Sequence, residues 1–196
     1  MANHVTSYIS FENLSEEAID YLDSAEMSKT DTDGFLRSVY NLSEDVEVDT
    51  ALWNNENVGS KWINFEEISS DLIWTVTAWG TPGNFYDVLY EKLESLNSPG
   101  LEMWVRYDDE MPNFVGVWGR IGDWDYEEYL EDEYYESVIG CTPHILDEDG
   151  EWEDSNDDWD EMLDNWYDSE YNCFKESYSE YMIEKHLDEK IDRNTE

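Results

Sequence analysis

The chain has 196 residues, of which 51 are acidic and 10 are basic, so its formal net charge at pH 7 is −41. We expect no direct binding to DNA, to RNA or to an anionic membrane surface, because each of these ligands is itself negatively charged. Hydrophobic residues make up 40% and aromatic residues 15% of the chain. This composition predicts a folded protein with a very highly charged surface rather than a disordered acidic tail.

The first part of the chain alternates strand and helix patterns. Strands are predicted at 4–11, 61–68, 71–79, 101–107 and 113–119, and helices at 15–27 and 84–96, with one short helix at 34–42 inside the polar stretch 28–60. Ser15 stands where an N-cap is expected. This order of elements predicts an α+β fold with helices on one face of an antiparallel sheet.

Charge density changes near Gly122 and Asp123. Residues 1–122 carry 23 acids and 6 bases, whereas residues 123–196 carry 28 acids and 4 bases. We therefore predict an α+β domain at 1–122 and a highly acidic, mainly helical extension at 123–196. In the extension, 123–138 is predicted to be helical, 140–158 to be a loop, and the stretch from about 158 to 192, which lacks Gly and Pro, to be one long helix.

Four segments of the first domain carry a family resemblance. They are MANHV at the N-terminus, NVGSKWINFEE at 57–67, TVTAWGTP at 75–82 and YDDEMPNFVGVWG at 107–119. Together they resemble the YubB-type ferredoxin-like domain of plasmid- and phage-encoded proteins. Asn57-Val58 and Gly83 depart from that family's WGTKW-like and TAW-x-P-P elements. The resemblance implies a ferredoxin-like fold and an origin in a mobile element, and it implies no activity and no catalytic residues.

An apolar seam runs along the predicted long helix. It consists of Leu163, Tyr167, Tyr171, Phe174, Tyr178 and Tyr181, and Leu187 and Ile191 extend it. Successive members are three or four residues apart, which places them on one face of a helix. We expect this seam to pack against the domain or against a second copy of the chain, which would make a homodimer.

A second series, here called the acid series, recurs on the same helix at every fourth residue. Its members are Asp160, Asp164, Asp168, Glu176, Glu180, Glu184, Asp188 and Asp192, with Asn172 in the one place that is not acidic. Successive members are about 6 Å apart along a helix axis and wind slowly with a right-handed sense. Like charges at this spacing oppose helix formation by about 0.2–0.5 kcal/mol per pair. A second acidic group precedes it, formed by Glu127, Glu128, Glu131 and Asp132.

These acidic groups favour a protein that imitates the phosphate backbone of DNA. The expected partner is a basic DNA-binding host protein, above all a defence nuclease of the restriction or CRISPR kind, in the cytoplasm of the host cell. Exposed Trp124, Trp152 and Trp159 are candidate anchoring residues. One alternative is an acidic structural or assembly protein whose charge serves solubility, including solubility in high salt. Another is a regulator that sequesters a basic nucleoid or transcription protein.

The sequence predicts no enzyme, no metal and no cofactor. The acidic segments 31–34 and 147–150 fail the spacing of a calcium-binding EF-hand loop. The three histidines are scattered, and no cysteine pair has zinc-ligand spacing. No phosphate-binding loop or nucleophile motif occurs, and no apolar run is long enough for a signal peptide or a membrane span.

Overall fold

The computed structural model describes residues 3–26, 32–146 and 152–193. The chain forms two compact units, Met1–Asp132 and Glu133–Glu196. Charge density predicts a boundary after residue 122, which is earlier in the chain than the boundary between these two units. The next segment is an acidic strand, and it pairs with the sheet of the first unit although its composition matches the second.

The first unit is built on a six-stranded antiparallel sheet. Its strands are β1 (His4–Glu12), β2 (Ile63–Ile68), β3 (Ile73–Ala78), β4 (Glu102–Asp109), β5 (Phe114–Ile121) and β6 (Trp124–Glu131). They lie in the order β2-β3-β1-β4-β5-β6. The four strands β2-β3-β1-β4, with helical connections from β1 to β2 and from β3 to β4, make the ferredoxin-like arrangement, and two hairpins add β5 and β6. The predicted α+β class with a ferredoxin-like antiparallel sheet is confirmed.

The helices of the first unit supply one side of its core. They are α1 (Glu16–Glu26), α2 (Thr32–Val39), α3 (Ala51–Asn57) and α4 (Gly83–Glu94). Val5 and Ile9 share one face of β1, because side chains alternate along a strand. Leu22 of α1, Leu36 of α2 and Leu89 of α4 join them in a single buried cluster. The helices that supply this core therefore cover one face of the sheet, as predicted.

Two side chains cap the helices α1 and α3. The Oγ of Ser15 accepts a hydrogen bond from the backbone N–H of Ala18 at 3.0 Å, as its sequence position predicts. The Oγ1 of Thr50 accepts one from the backbone N–H of Trp53 at 3.2 Å. The sequence did not predict α3, because its 7 residues, ALWNNEN, are too few to show a helical period of apolar side chains.

The prediction of a helix over 123–138 is wrong for most of that segment. Gly122, with a φ of +61°, forms the turn after β5. From there β6 pairs with β5 along its whole length, from Ile121↔Trp124 to Phe114↔Glu131. An acidic and aromatic segment without an apolar period fits a helix or a strand equally well, and the hairpin partner decides between them.

The second unit ends in a long helix. After a 3-10 turn at Asp132–Tyr134, its elements are α5 (Tyr135–Val138), β7 (His144–Leu146), β8 (Trp152–Ser155) and α6 (Trp159–Arg193). The strands β7 and β8 pair antiparallel within the segment 140–158, which was predicted to be a loop. The prediction of one helix from about 158 to 192 is confirmed by the 35 residues of α6. Among the described helices, none combines the length and the apolarity that crossing a bilayer requires.

Candidate functional site

The acid series lies on an unbroken exposed line of α6. Each of its members whose side chain the structure describes is exposed: Asp160, Asp164, Asp168, Glu176, Glu180 and Glu184, together with Asn172. Because α6 is continuous through these positions, neighbouring members are one helical turn apart, about 6 Å along the axis. Asp188 and Asp192 continue on α6, and their side chains lie outside the described residues.

In contrast to the acid series, the described residues of the apolar seam of α6 are buried or half-buried. Leu163, Tyr167 and Phe174 are buried, and Phe174 is 0% exposed. The remaining described members are half-buried: Tyr171, Tyr178 and Tyr181. The helix is therefore amphipathic, and the first half of the seam is already buried in a single copy of the chain. The side chains of Leu187 and Ile191 lie outside the described residues.

Two lysines of α6 lie against tyrosines of the seam. The Nζ of Lys175 is 5.5 Å from the ring centroid of Tyr171. The Nζ of Lys185 is 5.2 Å from the ring centroid of Tyr181 and donates a hydrogen bond to its hydroxyl oxygen at 3.1 Å. These cation–π contacts hold both ammonium groups close to the seam.

The second acidic group lies in the first unit, with three members on β6 and Asp132 directly after that strand. Glu127, Glu128, Glu131 and Asp132 are all exposed. Because side chains alternate along a strand, Glu127 and Glu131 face one side of the sheet and Glu128 faces the other. These acids therefore do not form the single line that a helix would have made, and they belong to a different compact unit from the acid series.

One carboxylate of β6 lies beside two buried phenols. The hydroxyl of Tyr107 donates a hydrogen bond to Oε1 of Glu127 at 3.4 Å. Burial raises the pKa of Tyr107 far above its ordinary value, and the negative charge of Glu127 raises it further. Burial also raises the pKa of Tyr86, whose hydroxyl donates a hydrogen bond to Ser7 Oγ at 2.7 Å. Both phenols therefore stay neutral beside Glu127 at physiological pH.

Two of the three tryptophans predicted as anchors are less exposed than another tryptophan of the chain. Trp124 and Trp159 are half-buried, and the ring of Trp159 lies 5.1 Å from that of Tyr135. The side chain of Trp152 lies outside the described residues. Trp79 instead is 59% exposed, with Nζ of Lys61 at 4.7 Å from its ring centroid. The sequence signal for Trp79 was its place at the end of a strand, directly before Gly80.

Nearly all described acids lie on the surface. Glu102 and Asp109 are the buried acidic residues of the described chain. The Oδ2 of Asp109 accepts a hydrogen bond from Nδ2 of Asn3 at 3.4 Å and another from Nδ2 of Asn113. Within the described residues, no group of three or more His, Cys, Asp or Glu side chains is arranged to hold a metal ion. Of the acidic segments weighed as calcium loops, Asp31 and 147–150 lie outside the described residues.

Comparison with models of known protein families, with curated proteins and with solved structures finds no match for this chain. The fold itself defines the class: an α+β protein with a ferredoxin-like antiparallel sheet and a long C-terminal helix. The particular feature of this chain within that class is the exposed acid series of α6.

Proposed function

We propose that this chain is a DNA mimic, a protein that occupies the basic DNA-binding channel of another protein and thereby excludes DNA. The observation that carries this proposal is the exposure of every described member of the acid series along a helix of 35 residues. The series presents carboxylates about 6 Å apart with a slow right-handed winding. The phosphates of one DNA strand also wind right-handedly, with a rise of about 3.4 Å per nucleotide.

The cost of the acid series supports a functional role for it. Each pair of like charges one turn apart opposes helix stability by about 0.2–0.5 kcal/mol. Lysines in alternate places of the series would turn this repulsion into attraction, yet the series contains none. The net charge of −41 adds long-range attraction toward a basic channel and speeds the encounter with it.

The proposed partner is a defence nuclease of the host, of the restriction or CRISPR kind. The resemblance of residues 1–122 to the YubB-type domain favours a mobile-element origin, and a mobile element gains from blocking such a nuclease in the host cytoplasm. This role needs no catalysis and no cofactor. A regulator that sequesters a nucleoid or transcription protein would use the same mechanism and would differ only in its target.

The first experiment uses the full chain as bait in a lysate of the host. We expect one basic DNA-binding protein to be retained at low salt and to be displaced by excess duplex DNA, because both ligands compete for the same channel. A broad set of basic proteins that all leave the bait together as salt increases would contradict mimicry. A stable oligomer of the chain, with no partner that DNA displaces, would instead support the assembly protein.

The acid series is tested by charge reversal at Glu176, Glu180 and Glu184, each replaced by Lys. We expect the retained protein to bind this variant at least about 100-fold more weakly at low salt, since three contacts with a basic channel become repulsive. The matched control reverses three exposed acids of the first unit by Glu44→Lys, Glu47→Lys and Glu56→Lys, with the same change in net charge. Equal losses in the two variants would show that total charge, and not the acid series, determines binding.

A further inference from the structure

Trp79, which follows β3, combines an exposed side chain with an unusual backbone conformation. Its side chain is 59% exposed, and its φ is +66°. A positive φ is sterically unfavourable for a bulky residue. The other non-glycine residues with a positive φ in the described chain are asparagine or aspartate, which tolerate it: Asn13, Asn41, Asp49 and Asn97. A glycine would fit position 79 without strain, so the fold by itself gives no reason for a tryptophan there.

Three hydrogen bonds hold the turn at Trp79. The N–H of Trp79 donates to the carbonyl oxygen of Asn3 at 2.9 Å. The Oγ of buried Ser60 accepts a hydrogen bond from the N–H of Ala78 at 3.1 Å. The Oγ1 of Thr77 donates to the carbonyl oxygen of the residue after Trp79 at 2.8 Å. The surrounding structure thus fixes a strained backbone, as is typical of binding sites, and a ligand of this ring has little backbone motion to arrest.

The ring of Trp79 already binds a cation within this chain. The Nζ of Lys61 lies 4.7 Å from its centroid, within the range of a cation–π contact. Other bases of the described chain lie over rings that are buried or half-buried: those of Tyr8, Tyr21, Tyr90, Tyr171 and Tyr181. Trp79 is the exposed ring of this set, where a base of another molecule can reach it. Lys61 is itself exposed, so such a base can displace it.

We propose that Trp79 binds an arginine side chain of the basic protein partner, whose guanidinium stacks on the ring where Lys61 lies in the free chain. A guanidinium is planar and weakly hydrated, so it stacks on an aromatic ring better than an ammonium group does. Tryptophan is also the aromatic side chain that attracts a cation most strongly. The net charge of −41 attracts a basic partner and repels a second copy of the chain.

This inference rests on the proposed function and adds to it a contact of stated chemistry in the first unit. The acid series lies in the second unit, so Trp79 would make its contact independently of those carboxylates. Carboxylates recognise any basic surface, whereas a stacked arginine requires that one guanidinium of the partner be correctly placed. The Trp79 contact therefore contributes to the choice among basic proteins.

The test titrates the full chain with a peptide of six arginines and follows the indole N–H signal of Trp79 by NMR. Loss of that signal in Trp79→Leu identifies it. We expect the signal to move as peptide is added. The variant Lys61→Gln removes the cation that an arginine must displace, so the dissociation constant read at this signal should fall by at least about threefold.

The matched control is Lys92→Gln. It changes the net charge by the same amount and also removes a base from an aromatic ring, because Nζ of Lys92 lies 5.3 Å from the ring centroid of Tyr21. The dissociation constant read at the Trp79 signal should change much less in this variant than in Lys61→Gln. Equal gains in the two variants would show that net charge alone determines peptide binding and would overturn the inference. A Trp79 signal that does not move would also overturn it.

A second copy of the chain is the other occupant that the test detects. If the ring of Trp79 joined two copies, the parent would elute as an oligomer in gel filtration and Trp79→Leu would elute as a monomer. That result would overturn the inference, because the ring would already be covered. We expect the parent and the variant to elute together.

Measurements on the retained partner separate this inference from the proposed function. If duplex DNA displaces the partner and Trp79→Leu binds that partner as tightly as the parent does, mimicry stands and the Trp79 contact fails. If DNA does not displace the partner, yet Lys61→Gln binds the arginine peptide more tightly than its control does, the ring binds arginine and mimicry fails.

Discussion

Gly116 of β5 lies beneath the ring of Tyr107 on the neighbouring strand β4. A Cβ atom at position 116 would come within 2.4 Å of the Cζ and hydroxyl oxygen of Tyr107. The ring is held by burial and by the hydrogen bond from its hydroxyl to Glu127 on β6. Because Gly116 has no side chain, the side chain of Tyr107 can extend across β5 to Glu127 on β6.

We expect Gly116→Ala to lower the free energy of unfolding by about 3 kcal/mol or more, because the buried ring cannot move without displacing its neighbours. Urea denaturation measures this loss. Gly80→Ala is the control and should be nearly neutral, since nothing lies within 4 Å of the added carbon. In the background Tyr107→Ala the cost of Gly116→Ala should largely disappear, and an unchanged cost would show that the ring is not its cause.

Buried Tyr86 and Tyr107 make the stability of the fold depend on pH in the alkaline range. Burial raises the pKa of both hydroxyls, so the unfolded chain loses these protons first, near pH 10. Their contribution is complete below that pH and falls above it by about 1.4 kcal/mol per pH unit for each tyrosine. Urea denaturation between about pH 9 and 11 should show a smaller decline in Tyr107→Phe than in the parent. An equal decline would contradict this, and the control Tyr134→Phe, at a side chain that is 51% exposed, should match the parent.

At the scale of the element, α6 combines a buried seam with an exposed line of like charges. The burial of Leu163 and Phe174 stabilises the helix, whereas repulsion between successive members of the acid series opposes it. Stability and the proposed binding should therefore respond in opposite directions to the same substitution. If the acid series served the stability of α6 alone, replacing one of its carboxylates would not make the helix more stable and the binding weaker.

Glu180→Lys tests that opposition within one helix. The substitution turns two repulsive pairs, with Glu176 and with Glu184, into attractive ones, so we expect the second unit to gain about 1 kcal/mol in stability. Affinity for the partner retained from lysate should fall at least about tenfold at low salt. Thermal unfolding and a titration on the same sample measure the two effects.

Glu180→Gln is the control, because it removes the repulsion without adding attraction. Its gain in stability should be about half as large. A loss of stability in Glu180→Lys would contradict the repulsion, and unchanged affinity would contradict the role of this carboxylate in binding.

At the scale of the whole molecule, a net charge of −41 acts on folding and on binding at once. Self-repulsion destabilises the compact state, and it is screened once the Debye length falls to about 10 Å near 0.1 M salt. Attraction to a basic channel is screened by the same ions. The two effects should therefore change with opposite sign along one salt series.

We expect sodium chloride, raised from about 0.05 to 0.5 M, to increase the melting temperature by at least about 3 °C, which corresponds to about 1 kcal/mol for a chain of this size. Over the same range, retention of the partner by the bait should decline steeply. Differential scanning calorimetry and the pull-down measure the two responses. A melting temperature that falls with salt would show that self-repulsion is not significant in the folded state.

Elements with a strong local signal were predictable from the sequence. The strands β1, β3 and β4 are rich in β-branched and aromatic residues, and the helices α1, α4 and α6 carry apolar residues at every third or fourth position; both signals are local properties of a segment. The total charge and the spacing of the acid series are equally local, so the sequence also determined which carboxylates form a line on α6.

Tertiary structure alone decided the rest. The segment 124–131 became a strand because β5 provides a hydrogen-bonding partner, and strand pairing depends on residues outside the segment. The exposure of Ile183 and Trp79 could not be predicted either, because an apolar residue is buried or exposed according to what packs on it. Local periodicity thus determines where helices and strands form, whereas contacts between distant segments determine which of their side chains remain available to a partner.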